Sequence, residues 1–230
     1  MGYFKFLDDL VKSSNAAGKD LAVFFLTYTL APHARYPTQL TQAVEALRYV
    51  VTQTDHQPSQ VLLGGDSAGG NLAMGVLSHA SHPHQAIDPL TLSEPLAGVA
   101  LIAPWVSFDD YREESPIDIG DIVTSDVSIP WSKAYLGTAT RDYYTDVFTA
   151  PPEWTKDFPT KQILVLGGEN EIMMPLLQHW VDLLKVGFPA VELYAGKREA
   201  HVAPVYNLYV FDNKETDQGK KLKSWLRECI

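Results

Sequence analysis

Residues 60–72 read Gln60-Val61-Leu62-Leu63-Gly64-Gly65-Asp66-Ser67-Ala68-Gly69-Gly70-Asn71-Leu72, and this stretch decides the fold. A short apolar run leads into Gly65-Asp66-Ser67-Ala68-Gly69, and helical spacing follows to about His79. A serine between two glycines at such a junction fits a tight strand-to-helix turn. That turn forces the serine into a strained backbone and lifts its hydroxyl clear of the sheet. Gly65 and Gly69 are expected to be required because a Cβ at either would strike the neighbouring backbone. In a chain of this length the five-residue pattern arises by chance roughly 0.08 times. Its weight therefore comes from what surrounds it.

Outward from the turn, apolar runs and amphipathic stretches alternate. Gly2–Ser13 carries Phe4, Leu7, Leu10 and Val11 at helical spacing. Leu21-Ala22-Val23-Phe24-Phe25-Leu26, ending at Tyr28, is expected to be a buried parallel strand. Pro37 is placed to open a helix reaching about Thr52. Further strands are expected at Val99–Ala103, Ile163–Leu166 and Ala190–Tyr194, with helices at Met174–Val186 and Lys214–Arg227. Strands alternating with helices indicate a single α/β domain over residues 1–230, built on a mostly parallel sheet. Residues 107–160 break the rhythm with Pro116, Pro130, Pro151, Pro152 and Pro159. A connection that long is expected to pass over the C-terminal edge of the sheet as a cap or pocket wall, where open α/β sheets bind ligands.

Composition narrows the class. The 230 residues are 46% hydrophobic and 20% charged, with a formal net charge of −10. An acidic chain is a poor candidate for nucleic acid or an anionic membrane surface. The cluster Lys220, Lys221 and Lys223 reads as the exposed face of a terminal helix. One cysteine, Cys229, excludes an internal disulfide and a Cys-based zinc site. His82 and His84 lack a third ligand nearby and read as a polar loop, so no metal and no cofactor is expected. No apolar run reaches the ~18 residues of a membrane span. With no signal peptide at Met1, the expected location is the cytoplasm, although a longer N-terminus would be free to carry a leader.

A serine nucleophile needs a base, and the base needs a carboxylate to orient it. After the Ile163–Leu166 run come Gly167-Gly168-Glu169-Asn170-Glu171, and after Ala190–Tyr194 comes the segment ending in His201. The chain order is then serine, acid, histidine, the order of the α/β-hydrolases. On position alone, Glu169 and Glu171 are both open as the acid.

Tyr28-Thr29-Leu30-Ala31-Pro32, Tyr36-Pro37 and Gly65-Asp66-Ser67-Ala68-Gly69-Gly70-Asn71-Leu72 together resemble the hormone-sensitive-lipase-like group of α/β-hydrolases, fungal esterases and deacetylases above all. The similarity continues through Ala103-Pro104-Trp105 and Gly168–Glu171 to His201. It implies a Ser67–Glu171–His201 triad, with Glu171 where most members carry Asp and Glu169 as the fallback. It also implies an oxyanion donor at the Ala68 N–H, a substrate pocket touching Trp105, and small to medium carboxylic esters as substrates. The His-Gly-Gly-Gly loop of that group does not occur in this sequence. The expectation is therefore an α/β-hydrolase domain lacking the N-terminal strands and that loop, shortened at its N-terminus. In that fold the absent strand would lie between Leu21–Tyr28 and Gln60–Gly64, so those two segments would either pair directly or flank a slot. The functional alternatives are a catalytically impaired or non-catalytic ligand binder, and an acyltransferase or thioesterase.

Overall fold

A computed structural model describes residues 2–109 and 120–230; Pro116, within the proline-rich stretch, lies outside the described residues. The described elements run α1 (Gly2–Ala16), α2 (Thr38–Gln53), β1 (Leu62–Asp66), α3 (Ala68–Ser81), β2 (Gly98–Ile102), α4 (Ser128–Leu136), α5 (Pro152–Thr155), β3 (Ile163–Gly168), α6 (Met174–Gly187), β4 (Val191–Gly196), α7 (Ala203–Tyr209) and α8 (Asp217–Cys229). Four strands form one parallel sheet in the order β1-β2-β3-β4.

Side-chain alternation along the strands sorts the core into two layers. Val99, Leu101, Ile163, Val165 and Val191 point one way, into a cluster with Leu40, Val44 and Leu47 of α2, Leu72, Val76 and Leu77 of α3, and Leu177 and Trp180 of α6. Ala100, Ile102, Leu164 and Leu166 point the other way, against Phe6 and Leu10 of α1, Val205 of α7, and Leu222, Trp225 and Leu226 of α8. Every residue of β2 and β3 is buried, as strands covered on both faces must be. Truncating a side chain such as Leu164 to Ala at this depth costs about 2–5 kcal/mol.

Helix boundaries follow local chemistry. The Thr216 side chain accepts the Gly219 N–H at 3.0 Å, capping α8 and setting its start at Asp217 rather than at Lys214. Lys220, Lys221 and Lys223 on that helix pair with Asp217, Glu192, and both Asp9 and Glu215. No helix among the described residues is long and apolar enough to cross a membrane.

One expected strand is not there. Residues 19–30 carry no regular structure, and Val23, Phe24, Phe25 and Leu30 are exposed. The apolar run at Leu21–Leu26 has the composition of a buried strand, but no described strand lies beside it to hydrogen-bond with, and β1 is the last strand of the sheet on that side. A strand is a pairing, and without one the backbone finds other partners: Leu21 N–H donates to Asn15 Oδ1, Thr29 N–H to Gln42 Oε1, and the Thr29 carbonyl accepts from Gln39. β1 itself is only partly buried. The fourth strand also runs later than its expected Ala190–Tyr194, ending at Gly196 because its ladder with β3 continues to Gly168.

Candidate active site

Parallel register brings the strand ends level: Asp66 of β1 pairs with Ile102 of β2, Ile102 with Leu166 of β3, and Gly168 with Gly196 of β4. The loops that leave these ends therefore converge on one edge.

Ser67 has φ 48° and ψ −116°, a left-handed backbone that an L-residue adopts at a cost. Three backbone bonds hold it there. Its N–H donates to the Ile102 carbonyl at 2.9 Å, and its own carbonyl accepts from Trp105 N–H at 2.9 Å and Asn71 N–H at 3.1 Å. The turn is tight at Gly65, where a Cβ would sit 2.2 Å from the Gly69 carbonyl oxygen. It is tight again at Gly70, where a Cβ would lie 2.8 Å from Pro104 Cβ. At Gly69, in contrast, a Cβ would meet nothing within 4 Å, so the expected clash there does not arise. The first turn of α3 directs the glycine at position 69 away from β1 and the one at position 70 onto the loop after β2.

The Ser67 hydroxyl lies 2.9 Å from His201 Nε2, and His201 Nδ1 lies 2.7 Å from Glu171 Oε1. The second Glu171 oxygen accepts the Gly168 N–H at 3.0 Å. A carboxylate can only accept, so the histidine proton belongs on Nδ1 and Nε2 accepts from the serine hydroxyl. Glu171 is 0% and His201 4% exposed, so the bond between them is shielded from water, while Ser67 stays partly exposed. Glu169, the alternative acid, faces outward, and its carboxylate accepts from Arg198 N–H instead. The extra methylene of glutamate is taken up by a turn in which Glu171 N–H reaches back to the Gly168 carbonyl at 3.0 Å.

Asp66 turns away from this chain of bonds and accepts the Tyr3 hydroxyl at 2.7 Å. Burial pushes its carboxyl above the usual range, against the opposing pulls of that bond and of His201. The Ala68 N–H belongs to the first residue of α3 and has no acceptor within the helix, which leaves it free to bind an anion at the positive end of the helix dipole. Trp105 brackets the turn through its backbone. Its ring, 9% exposed, packs on Phe108 with centroids 4.6 Å apart and meets Trp131 edge-on at 6.5 Å. Burial raises Cys229 to about 11, which keeps that thiol protonated at neutral pH. His82 stacks on Trp154 and His84 takes the Ala86 N–H, so the two imidazoles serve separate local contacts.

Two further residues escape a reading of the sequence. Asn71 donates to the carbonyls of Trp105 and Thr145, both at 2.7 Å, tying the first turn of α3 to the 107–160 segment. Asp121 accepts backbone N–H groups from Ile172 and His201. Side chain-to-backbone bonds that span from 34 to 80 residues leave no trace in local spacing.

A family model described as alpha/beta hydrolase fold matches residues 3–204. Carboxylesterase 20 of Arabidopsis thaliana is 29% identical over 184 residues, covering 74% of this chain and 55% of the plant protein. An esterase of Gibberella moniliformis is 32% identical over 74 residues, covering 31% of this chain and 22% of its own length. The chain thus spans less than two thirds of either relative. Among solved structures, carboxyl esterase 2 of the fungus Tuber melanosporum superposes with a TM-score of 0.75 at 19% identity, over 98% of this chain and 71% of that one. A hormone-sensitive lipase from a metagenome library gives 0.72 at 20% identity, over 89% and 66%. With the matched family model running from α1 into α7 and the same sheet recurring in these structures, the chain belongs to the α/β-hydrolase fold family.

Proposed function

We propose that the chain is a serine ester hydrolase of the hormone-sensitive-lipase-like group, acting through Ser67, His201 and Glu171. The observation that carries this reading is the unbroken line of two short bonds at a strained turn, 2.9 Å from the partly exposed Ser67 to His201 and 2.7 Å from His201 to the buried Glu171. As the ester carbonyl is attacked, the Ser67 oxygen–carbon bond forms and the hydroxyl proton passes to His201 Nε2. Glu171 holds the imidazole in the tautomer that can receive it and balances the imidazolium. The Ala68 N–H stabilises the tetrahedral oxyanion, and each such donor is worth about 10²–10³ in rate. Collapse expels the alcohol, which takes the proton from His201 and leaves an acyl-serine. Water, deprotonated by His201, then releases the carboxylic acid and restores the serine.

In the same proposal the described residues 120–160 of the long connection form a cap over this site, since the Thr145 carbonyl and Asp121 carboxylate are bonded to groups beside the nucleophile and the base. Small to medium esters, acetyl esters among them, are the substrates of this proposal, with Trp105, packed on Phe108, as a wall of their pocket. The names of the plant and fungal relatives favour the same class.

The direct test is a fluorophosphonate probe on the whole chain, with the label located by peptide mass. Labelling at Ser67 that disappears in His201→Ala supports the reading, and turnover of p-nitrophenyl acetate against longer acyl esters then sizes the pocket. A folded chain that stays unlabelled overturns it in favour of a ligand-binding protein. Transfer of the acyl group to an added alcohol or amine faster than to water points to an acyltransferase instead.

A further inference from the structure

We infer that Asp121 is a positioning residue that clamps the acid loop to the base loop, an inference that rests on reading Ser67, His201 and Glu171 as a proton relay. Its Oδ2 accepts the N–H of Ile172, the residue next to Glu171, at 2.9 Å. Its Oδ1 accepts the N–H of His201 itself at 2.8 Å. One carboxylate thereby joins the loop after β3 to the loop after β4 at the two points where the relay begins and turns.

The clamp matters because the base loop is strained. Arg198 and Val202 on either side of His201 have φ 56° and 52°, left-handed conformations held only if the surroundings fix them. Three other bonds tie these segments, Glu169 N–H to the Gly196 carbonyl and Asn170 N–H to the Glu199 carbonyl, both at 2.9 Å, and Arg198 N–H to the Glu169 carboxylate at 3.2 Å, but all three lie on the far side of Glu171 from Ile172. Asp121 supplies the tie on the near side. A carboxylate suits the task because it presents two acceptors at fixed separation to two donors. A carboxamide offers one acceptor, and its NH₂ would face an N–H. Asp121 belongs to the cap proposed above, so the same residues that would cover the site also set the spacing of its acid and base.

The experiment compares the full wild-type chain with Asp121→Ala, Asp121→Asn and Tyr36→Phe. Tyr36 donates to Asp142 at 2.7 Å and anchors the same segment away from the relay. Three quantities are read: the melting temperature, the labelling constants at Ser67 with a fluorophosphonate (kinact and KI separately), and the low-field proton NMR signal of His201 Nδ1–H. The expected result for Asp121→Ala is a fall of about 100-fold in kinact, the scale of a misplaced reacting group, with KI unchanged and the His201 signal shifted or broadened. Asp121→Asn should fall between Asp121→Ala and the wild type, and it carries the test if Asp121→Ala does not fold. Tyr36→Phe should lower the melting temperature and leave kinact and the signal alone. Wild-type kinact and an unshifted signal in both Asp121 variants overturn the clamp, as does an equal loss of kinact in Tyr36→Phe. If the wild type shows the His201 signal but no labelling, the hydrolase reading fails, while the signal in the Asp121 variants still decides the clamp. If the wild type shows neither, relay and clamp fall together.

Discussion

The two halves of the site are built differently. Glu171 and His201 follow β3 and β4, are buried, and are joined by side-chain and backbone bonds on several sides. Ser67 follows β1, a partly buried edge strand whose only strand neighbour among the described residues is β2. The acid follows β3, a strand buried along its whole length, while the base follows β4, the other edge strand, and is fixed by bonds from its neighbouring loops. The nucleophile half owes its geometry to a single turn, held by the Ile102 carbonyl and the Trp105 and Asn71 amides. Preorganisation of a proton relay does not require the whole sheet to be covered, provided each loop is pinned locally.

Breaking the acid–base half should cost most. Glu171→Gln keeps the shape but removes the charge and favours the wrong histidine tautomer, so kcat for p-nitrophenyl acetate should fall about 10⁴-fold. Glu169→Gln, changing the outward-facing neighbour, should leave it within about twofold, as surface substitutions do; comparing the two rates checks which glutamate acts.

The nucleophile half should break at its tightest contact. Gly65→Ala places a methyl against the Gly69 carbonyl, and a loss of about 3 kcal/mol or more is expected in urea unfolding. Gly69→Ala should change stability by less than about 1 kcal/mol, since its Cβ meets open space. Equal losses at both positions would show that the turn is not packed as described.

Asp66 ties the nucleophile half to α1 and gives it a pH signature. Its folded-state carboxyl is raised by burial, so its favourable contribution is full below the unfolded carboxylate range and is lost as pH rises through the raised value. Wild type should thus gain stability relative to Asp66→Asn when the pH is lowered from 7 to 4.5, as read from the difference in melting temperatures. A difference that stays constant or reverses would mean that the Tyr3 bond outweighs burial. The smallest effect belongs to the exposed run: Phe24→Ser should shift stability by no more than about 0.5 kcal/mol. A loss of several kcal/mol would show that the 19–30 run is buried after all.

Serine, acid and histidine could be found in the sequence because each follows an apolar run with a strand signature, and register then carries them to one edge. Gly65 was legible for the same reason. The distinction between Gly69 and Gly70 was not, because it depends on where the loop after β2 passes. Asp121 and Asn71 were hidden because they act on backbone groups far along the chain. The run at Leu21–Leu26 misled for a related cause: its residues suit a buried strand, and composition does not reveal whether a neighbour is present to pair with.

The sequence by itself determined the alternation of strands and helices, the turn at Ser67 and the order of the candidate residues, because hydrophobic period and glycine placement are local. Only the tertiary structure decided that Asp121 bridges two loops, that Asn71 reaches the Thr145 carbonyl, and that β1 ends the sheet. Each of those depends on which backbone groups come within hydrogen-bonding distance across the fold, and that distance is set by packing between segments far apart in the chain.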